Sequence, residues 1–143
     1  MMMEGGKRVY IYKPGFQTFE NCIEFGTKGT STSKLSFGEN SFNLHVQFSF
    51  DFQKYLYIKT DFSKFKKLVF KVKNANGNKS WLGYKERHLN TNEDYTDMAD
   101  SVSVFDTEEK RIVFDISKVT GEQYIFIDGE NGASIDVFDI YFE

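Results

Sequence analysis

Three residues with sugar-binding chemistry lie within the stretch SWLGYKERHL. If Leu82 and Tyr84 face a protein core, the alternation of a strand leaves Trp81, Lys85 and Arg87 on the opposite face. An indole ring offers a flat apolar surface to the C–H face of a pyranose, and the charged groups can donate hydrogen bonds to its hydroxyls. The alternative is that Trp81 is a core tryptophan, with Leu82 and Tyr84 on the outside.

A second polar row lies in FNLHVQFSF. Its apolar residues alternate with Asn43, His45 and Gln47, which we expect to face away from the core. These side chains could bond to the same ligand, although an ordinary solvated sheet face also explains them. We hypothesise a shallow site for a neutral or weakly acidic glycan, formed without metal by Trp81, Lys85, Arg87, His45, Gln47 and Asn43.

The sequence offers little for catalysis. Its two histidines, His45 and His88, are too few for a metal site built mainly from histidines. The single cysteine, Cys22, lies in CIEF, where a small buried thiol is the commoner role. No nucleophile elbow, phosphate-binding glycine loop or His-Glu-x-x-His motif occurs, while a pair of carboxylates for glycosidic cleavage stays open. We expect a non-catalytic protein that needs no cofactor.

Two acidic segments raise the question of calcium. HLNTNEDYTDMAD and DGENGASID carry enough side-chain oxygens to wrap a hard cation, but neither follows the EF-hand spacing. The first is typical of a solvated loop, although a calcium ion there stays open. The second is typical of a hairpin tip, because Asp-Gly and Asn-Gly are strong turn formers. We therefore assign no metal ligand.

Length and charge limit the other classes. We expect residues 1–143 to form one domain, with residues 1–6 disordered or tag-like. A net charge of −3 argues against a nucleic-acid partner. No apolar run approaches membrane-spanning length and the N-terminus lacks the apolar core of a signal peptide, so the sequence predicts a soluble chain without a membrane partner. A place in a virion or at a cell surface stays open.

Period-two alternation predicts an all-β protein. Phe, Tyr, Val and Ile dominate the apolar residues, and the short strands are spaced as in a two-sheet antiparallel sandwich. The last strand changes phase, because Ile135 and Val137 follow one alternation and Phe138, Ile140 and Phe142 follow the other, which predicts a bulge near Val137. The predicted strands are Val9 to Tyr12, Cys22 to Phe25, Lys34 to Phe37, Phe42 to Phe50, Tyr55 to Lys59, Lys67 to Lys73, Ser80 to Glu86, Ser101 to Phe105, Arg111 to Asp115, Gln123 to Ile127 and Ile135 to Phe142.

One joint occurs twice, as DFSKF from Asp61 and as DISKV from Asp115. Each aspartate follows a strand and can accept hydrogen bonds from the backbone N–H groups two or three residues on. The two apolar residues of each joint would then close an open end of the sandwich before the chain enters the facing sheet. Generic turn chemistry is the alternative explanation.

The order of strand, Asp-x-Ser-Lys turn and strand, followed by VFDISKVTGEQYIFIDG and ASIDVFDIYFE, resembles the second half of the galactose-binding-like jelly rolls over residues 55–142. These include carbohydrate-binding modules and accessory β-sandwich domains of phage tail and bacterial surface proteins. The resemblance implies two antiparallel sheets, with ligand sites on loops at one end or on a concave sheet face. We expect a glycan-binding module of a phage, surface or cell-wall-associated protein, with a glycan or polysaccharide and other subunits of an assembly as partners. The alternative is a structural assembly domain without a sugar site.

Overall fold

The computed structural model describes residues 8–13, 22–28, 34–46, 55–85 and 98–143. These residues form strands and turns without a helix, which confirms the predicted all-β class. None of them belongs to a helix that could span a membrane. The strands are β1 (Val9–Tyr12), β2 (Glu24–Lys28), β3 (Lys34–Phe37), β4 (Phe42–His45), β5 (Tyr55–Asp61), β6 (Lys67–Asn74), β7 (Ser80–Lys85), β8 (Met98–Val104), β9 (Lys110–Asp115), β10 (Glu122–Gly129) and β11 (Ser134–Phe142).

The strands form two antiparallel sheets, as the sequence predicts. Sheet A has the order β3, β4, β11, β6, β9, and β1 also pairs with β11. β4 pairs with the first residues of β11 and β1 with the last, so both lie along the same edge of that strand. Sheet B has the order β2, β5, β10, β7, β8. The chain crosses between the sheets repeatedly. β8 is the last strand of sheet B and β9 is the last strand of sheet A, and residues 105–109 connect them.

Alternating apolar residues from both sheets fill the space between them. Leu44 and Phe70 come from sheet A, and Ile58, Leu82 and Ile125 come from sheet B; all are buried in one cluster. In each of these strands the intervening residues face away from that cluster. The outer faces of the two sheets therefore lie on opposite sides of the molecule.

The predicted bulge in the last strand is confirmed. The register between β11 and β6 shifts between Val137 and Asp139. Ile135 and Val137 are buried before the shift, and Ile140 and Phe142 are buried after it. The extra residue thus lets both alternations of this strand face the core.

Most predicted strands agree with the structure to within a few residues at each end. The second strand differs most, since Glu24–Lys28 pairs with β5 whereas Cys22 to Phe25 was expected. Ile23 is 55% exposed, and its N–H bonds to Lys59 O just before the first paired residue of β2. The predicted strand from Phe42 extends to His45 in the structure, and residues 47–50 lie outside the described part of the chain.

The two joints have the predicted geometry. The N–H of Ser63 donates to Asp61 Oδ1 at 2.9 Å, and the N–H of Ser117 donates to Asp115 Oδ1 at 2.9 Å. Each aspartate thus caps one tight turn, which the bond from Val119 N to Ile116 O closes in the second joint. The first joint leads from sheet B to sheet A and the second leads back, so both cross between the sheets.

The apolar residues of the joints close one end of the sandwich. Phe62 and Ile116 are completely buried, while Phe65 and Val119 are partly buried against the core. The ring of Phe65 stacks on Phe142 with centroids 4.4 Å apart and an interplanar angle of 4°. The joints also touch each other, because Gly121 N donates to Ser63 Oγ at 2.8 Å.

Removal of a joint aspartate should lower the unfolding midpoint in a pH-dependent way. The hydrogen bonds from Ser117 lower the pKa of Asp115 below its ordinary value of 3.8, so the ionised carboxylate favours the folded state. That contribution is fully present above the ordinary pKa and is lost as pH falls through the lowered one. We expect Asp115→Ala to lower the midpoint at neutral pH, and the gap to wild type to narrow in acid. Asp61→Ala should act similarly, because Ser63 lowers the pKa of Asp61 in the same way.

Denaturant titrations of the variants at several pH values measure this effect. Asp115→Asn is the matched control, since an amide oxygen can still accept the Ser117 N–H but does not titrate. It should keep most of the midpoint and lose the pH dependence. Equal midpoints for wild type, Asp61→Ala and Asp115→Ala would show that the caps do not stabilise the fold.

The segment DGENGASID is a turn but not the predicted hairpin tip. It leads from β10 in sheet B to β11 in sheet A, so the flanking strands do not pair. Ala133 is buried and its N–H bonds to Glu130 O, and the N–H of Gly132, whose φ is +90°, bonds to Val46 O. The N–H of Glu130 also bonds to Lys79 O, next to β7, so backbone bonds connect the turn to residues beside both sheets.

Candidate functional site

Trp81 lies on the outer face of sheet B. In β7 the neighbours Leu82 and Tyr84 are 0% and 6% exposed and belong to the core, while Trp81 is half-buried. The alternative in which Trp81 occupies the core is therefore wrong. The alternation that the site hypothesis requires is present, and it places Trp81, Gly83 and Lys85 together on one side of the strand.

Strand register defines the neighbours of Trp81 on this face. Trp81 is opposite Asp128 of β10 on one side and Ser103 of β8 on the other. The next row joins Tyr57 of β5 to Phe126 of β10, which is opposite Gly83. A third row contains Glu24, Lys59, Tyr124 and Lys85. We call this outer surface of sheet B the aromatic face; its described side chains are Glu24, Tyr57, Lys59, Trp81, Lys85, Ser103, Tyr124, Phe126 and Asp128.

Lysine ammonium groups lie beside three aromatic rings of this face. Lys79 Nζ is 5.6 Å from the Trp81 centroid, and Lys59 Nζ is 5.5 Å from that of Tyr124. Lys85 Nζ is 5.1 Å from the Phe126 centroid. Each distance lies within the range of cation–π attraction. The arrangement brings cationic hydrogen-bond donors next to flat apolar surfaces, the combination that recognition of a polyhydroxylated ring requires.

Polar contacts join the residues of the aromatic face on β2, β5 and β10. Tyr57 and Tyr124 pack edge to face with centroids 5.9 Å apart, and Tyr57 OH donates to Glu24 Oε2 at 3.1 Å. Partial burial, followed by the hydrogen bond to Glu24, raises the pKa of Tyr57. Lys59 Nζ lies 3.4 Å from Glu122 Oε1, and this contact raises the pKa of Lys59. Both groups therefore keep their protons at neutral pH and remain donors.

The middle of the aromatic face is more buried than the sequence suggests. Lys85, Phe126 and Asp128 are 1%, 1% and 4% exposed, although all three belong to the outward alternation. We expected Lys85 to lie on an open surface. It lies on the predicted outer face of β7, but its side chain is buried there. The packing of its ammonium beside the Phe126 ring accounts for part of this burial. Trp81, Tyr57 and Tyr124 are half-buried and present the accessible aromatic surface.

The structure does not bring the six predicted ligand-binding residues together. Asn43 and His45 face outward from β4 in sheet A, on the opposite side of the sandwich from Trp81. Asn43 Nδ2 donates to Ser134 Oγ and to Asp136 Oδ1, each at 2.9 Å, so its amide stabilises sheet A. Arg87 and Gln47 lie outside the described residues. One continuous accessible site can therefore include Trp81, but not Asn43 or His45. Lys85 lies on the same face as Trp81, but its side chain is buried.

Two acidic side chains of the DGENGASID segment form structural contacts. Glu130 Oε2 accepts the N–H of Lys79 at 2.7 Å, and Asp128 Oδ1 accepts the N–H of Gly129 at 2.7 Å. Within the described ranges, no group of three or more acidic, histidine or cysteine side chains could hold a metal ion. The acidic segment from His88 to Asp97 lies outside those ranges. Cys22 is half-buried and packs against the core.

Tyr124, Phe126 and Lys59 were not singled out from the sequence. In EQYIFIDG the inward residues Ile125 and Ile127 and the outward residues Tyr124 and Phe126 are all apolar, so period-two alternation is hidden. One signal was available: a long apolar strand is usually covered on both faces, which would have placed β10 in the middle of its sheet. Tyr57 could not be ranked above the other tyrosines from the sequence, because its place in the site depends on its neighbours on β10.

Comparison with known proteins finds similar solved structures. No protein-family model matches the sequence, and no curated protein matches it. A solved mutant of a family 29 carbohydrate-binding module is 17% identical, with a TM-score of 0.64 over 96% of this chain and 91% of that one. Another mutant, complexed with cellulohexaose, is 16% identical, with a TM-score of 0.62 over 95% and 89%. A family 29 module from Piromyces equi gives the same four values. The chain therefore shares the two-sheet jelly-roll β-sandwich fold of these modules.

Proposed function

We propose that this protein is a non-catalytic glycan-binding module whose ligand lies on the aromatic face. The observation that carries the proposal is the half-buried Trp81 on the outer surface of sheet B, with Tyr57 and Tyr124 on the same surface. Large aromatic side chains are usually buried, so three accessible rings on one sheet face are unusual for a surface without a ligand. The likeness in fold to carbohydrate-binding modules supports the same conclusion.

The aromatic face suits a sugar chain better than a small enclosed ligand. Antiparallel strands lie about 4.8 Å apart, so rings on β5, β10 and β7 are spread over a surface wide enough for more than one pyranose. Lys59 and Lys79 are half-buried and can donate hydrogen bonds, while the exposed Glu24 can accept them. These charges have both signs, which favours a neutral or weakly acidic glycan. Hydroxyls exchange bonds with water on binding, so we expect micromolar to millimolar affinity.

Tryptophan fluorescence tests this proposal in wild-type protein. The chain has a single tryptophan, so its emission reports Trp81 alone. We expect titration with soluble neutral oligosaccharides, beginning with β-linked glucose oligomers, to shift that emission and to saturate. A glycan array should identify the preferred chain, and binding should survive excess chelator because the proposed face uses no metal. Emission that no array-positive glycan changes would exclude Trp81 from the site, and an array without positives would exclude glycan binding.

We extend the proposal to a role in attachment within a phage, surface or cell-wall-associated assembly. A weak glycan site becomes effective there through many linked copies. A structural assembly domain without a sugar site is the competing function. A stable oligomer that binds no glycan on the array would favour that alternative.

A further inference from the structure

One side of the sandwich ends in two edge strands. In the described part of the chain β9 is the last strand of sheet A and β8 the last strand of sheet B. Residues 105–109 connect them directly, and a cleft of about 270 Å³ between them is lined by Val102, Phe105, Lys110 and Ile112, among others. The backbone of β9 and this cleft therefore face the same direction, away from the rest of the molecule.

The backbone of β9 has hydrogen-bonding groups directed outward at alternate residues. Ile116 N donates to Lys66 O, and Asp115 is opposite Lys67, so Asp115 belongs to a pair that does not exchange hydrogen bonds with β6. Along an antiparallel strand this pattern alternates. The N–H and C=O groups of Arg111, Val113 and Asp115 thus point away from β6, toward the edge.

Apolar side chains are exposed along the same side. Phe105 is 55% exposed, Val113 is 41% exposed and Val102 is 38% exposed. Of the large apolar residues that are exposed in the described structure, only Ile23 lies elsewhere, next to β2. This concentration beside an edge strand marks an interaction surface more strongly than scattered exposed residues would.

The order of charges on β9 fits a second copy of the same chain. We propose that two copies of this protein pair through β9, antiparallel, about a two-fold axis at Val113. In that register Val113 lies opposite Val113 of the partner subunit, and Arg111 lies opposite Asp115 of the partner subunit. The second Arg–Asp pair follows by symmetry, because a two-fold interface uses the same patch twice. Charged residues on an edge strand often prevent pairing, but this sequence places opposite charges face to face.

The proposed pairing satisfies the chemistry of the edge. The outward groups of Arg111, Val113 and Asp115 would form about six hydrogen bonds with their counterparts, and sheet A would continue through both subunits. Registers that place Arg111 opposite itself bring like charges together and are disfavoured. The exposed side chains of Val102 and Phe105, on the same side, would approach the partner and lose water.

The dimer would place two aromatic faces on one side of the assembly. A two-fold axis perpendicular to sheet A leaves both copies of sheet B facing the same direction. This consequence rests on the proposed glycan function, whereas the dimer itself does not. Failure of glycan binding would leave the dimer intact, and failure of dimerisation would leave binding to single oligosaccharides unchanged.

Sedimentation or light scattering over a concentration series tests the interface. We expect a mass that rises toward twice that of the chain, with dimerisation weakened by salt because it includes charge pairs. Arg111→Asp places two like-charged pairs across the axis and should weaken dimerisation roughly tenfold or more. Lys34→Asp is the matched control: it is exposed on β3, at the opposite edge of sheet A, and should leave dimerisation unchanged.

Amide hydrogen exchange gives a second, independent readout. At high concentration the N–H groups of Arg111, Val113 and Asp115 should become protected, and they should exchange fast in the Arg111→Asp variant. The N–H groups of Ile112 and Phe114 point to β6 and should stay protected in both. A wild-type protein that is monomeric throughout the series, or a dimer that Arg111→Asp does not weaken, would overturn the proposal.

Discussion

Trp81→Ala should abolish detectable glycan binding and leave the fold almost as stable as wild type. The indole is half-buried on the outer face of sheet B, where Asp128 and Ser103 lie opposite it. Its removal takes away the largest flat apolar surface of the aromatic face, which supplies much of the stacking energy for a sugar ring. Because the ring is outside the core, we expect the free energy of unfolding to fall by only about 1 kcal/mol or less. Calorimetric titration with the array-positive glycan and urea unfolding measure the two effects.

Two variants sharpen this experiment. Trp81→Phe keeps an apolar ring and should bind more weakly than wild type but measurably. Tyr10→Ala removes a half-buried ring from β1 of sheet A, away from the aromatic face, and should leave glycan affinity unchanged. A loss of about 3 to 5 kcal/mol in Trp81→Ala would instead assign the indole a core role. Undiminished binding in that variant would move the glycan site elsewhere.

The position of Trp81 was predictable, because local alternation decides which way a side chain faces. In SWLGYK the buried pair Leu82 and Tyr84 fixes the outward side of the strand as soon as the strand is recognised. The same rule correctly turned Asn43 and His45 outward. It could not tell which sheet contains β4, because alternation orients a side chain relative to its own strand alone. Strand order depends on long-range pairing, and that order separates His45 from Trp81 by the thickness of the sandwich.

The burial of Lys85 was not predictable for a different reason. A lysine among outward residues is normally solvated, and its sequence neighbours give no sign of the ring that packs beside it. Phe126 lies forty-one positions later in the chain and meets Lys85 only because β10 pairs with β7. The joints were predictable because their chemistry is local: Asp61 and Asp115 bond to backbone groups only two residues away.

Phe62→Ala should cause the largest loss of stability among the variants considered. Phe62 is completely buried, and its ring centroid lies 5.3 Å from that of Tyr84 and 5.1 Å from that of Phe142. These partners belong to β7 of sheet B and β11 of sheet A, so the ring holds the two sheets together at the joint end. Truncation would leave a cavity between the two sheets. The strands are held by their hydrogen bonds and cannot easily move together to fill it. We expect the free energy of unfolding to fall by about 3 to 5 kcal/mol, as measured by urea titration.

Lys64→Ala is the matched control, since it changes an exposed residue of the same turn. It should alter the free energy of unfolding by no more than about 0.5 kcal/mol. Ile116→Ala, at the equivalent place in the second joint, should cost about 2 to 5 kcal/mol because Ile116 is also completely buried. If Phe62→Ala were no more destabilising than Lys64→Ala, the joints would be simple connections, and the closure of the sandwich end would have to come from other residues.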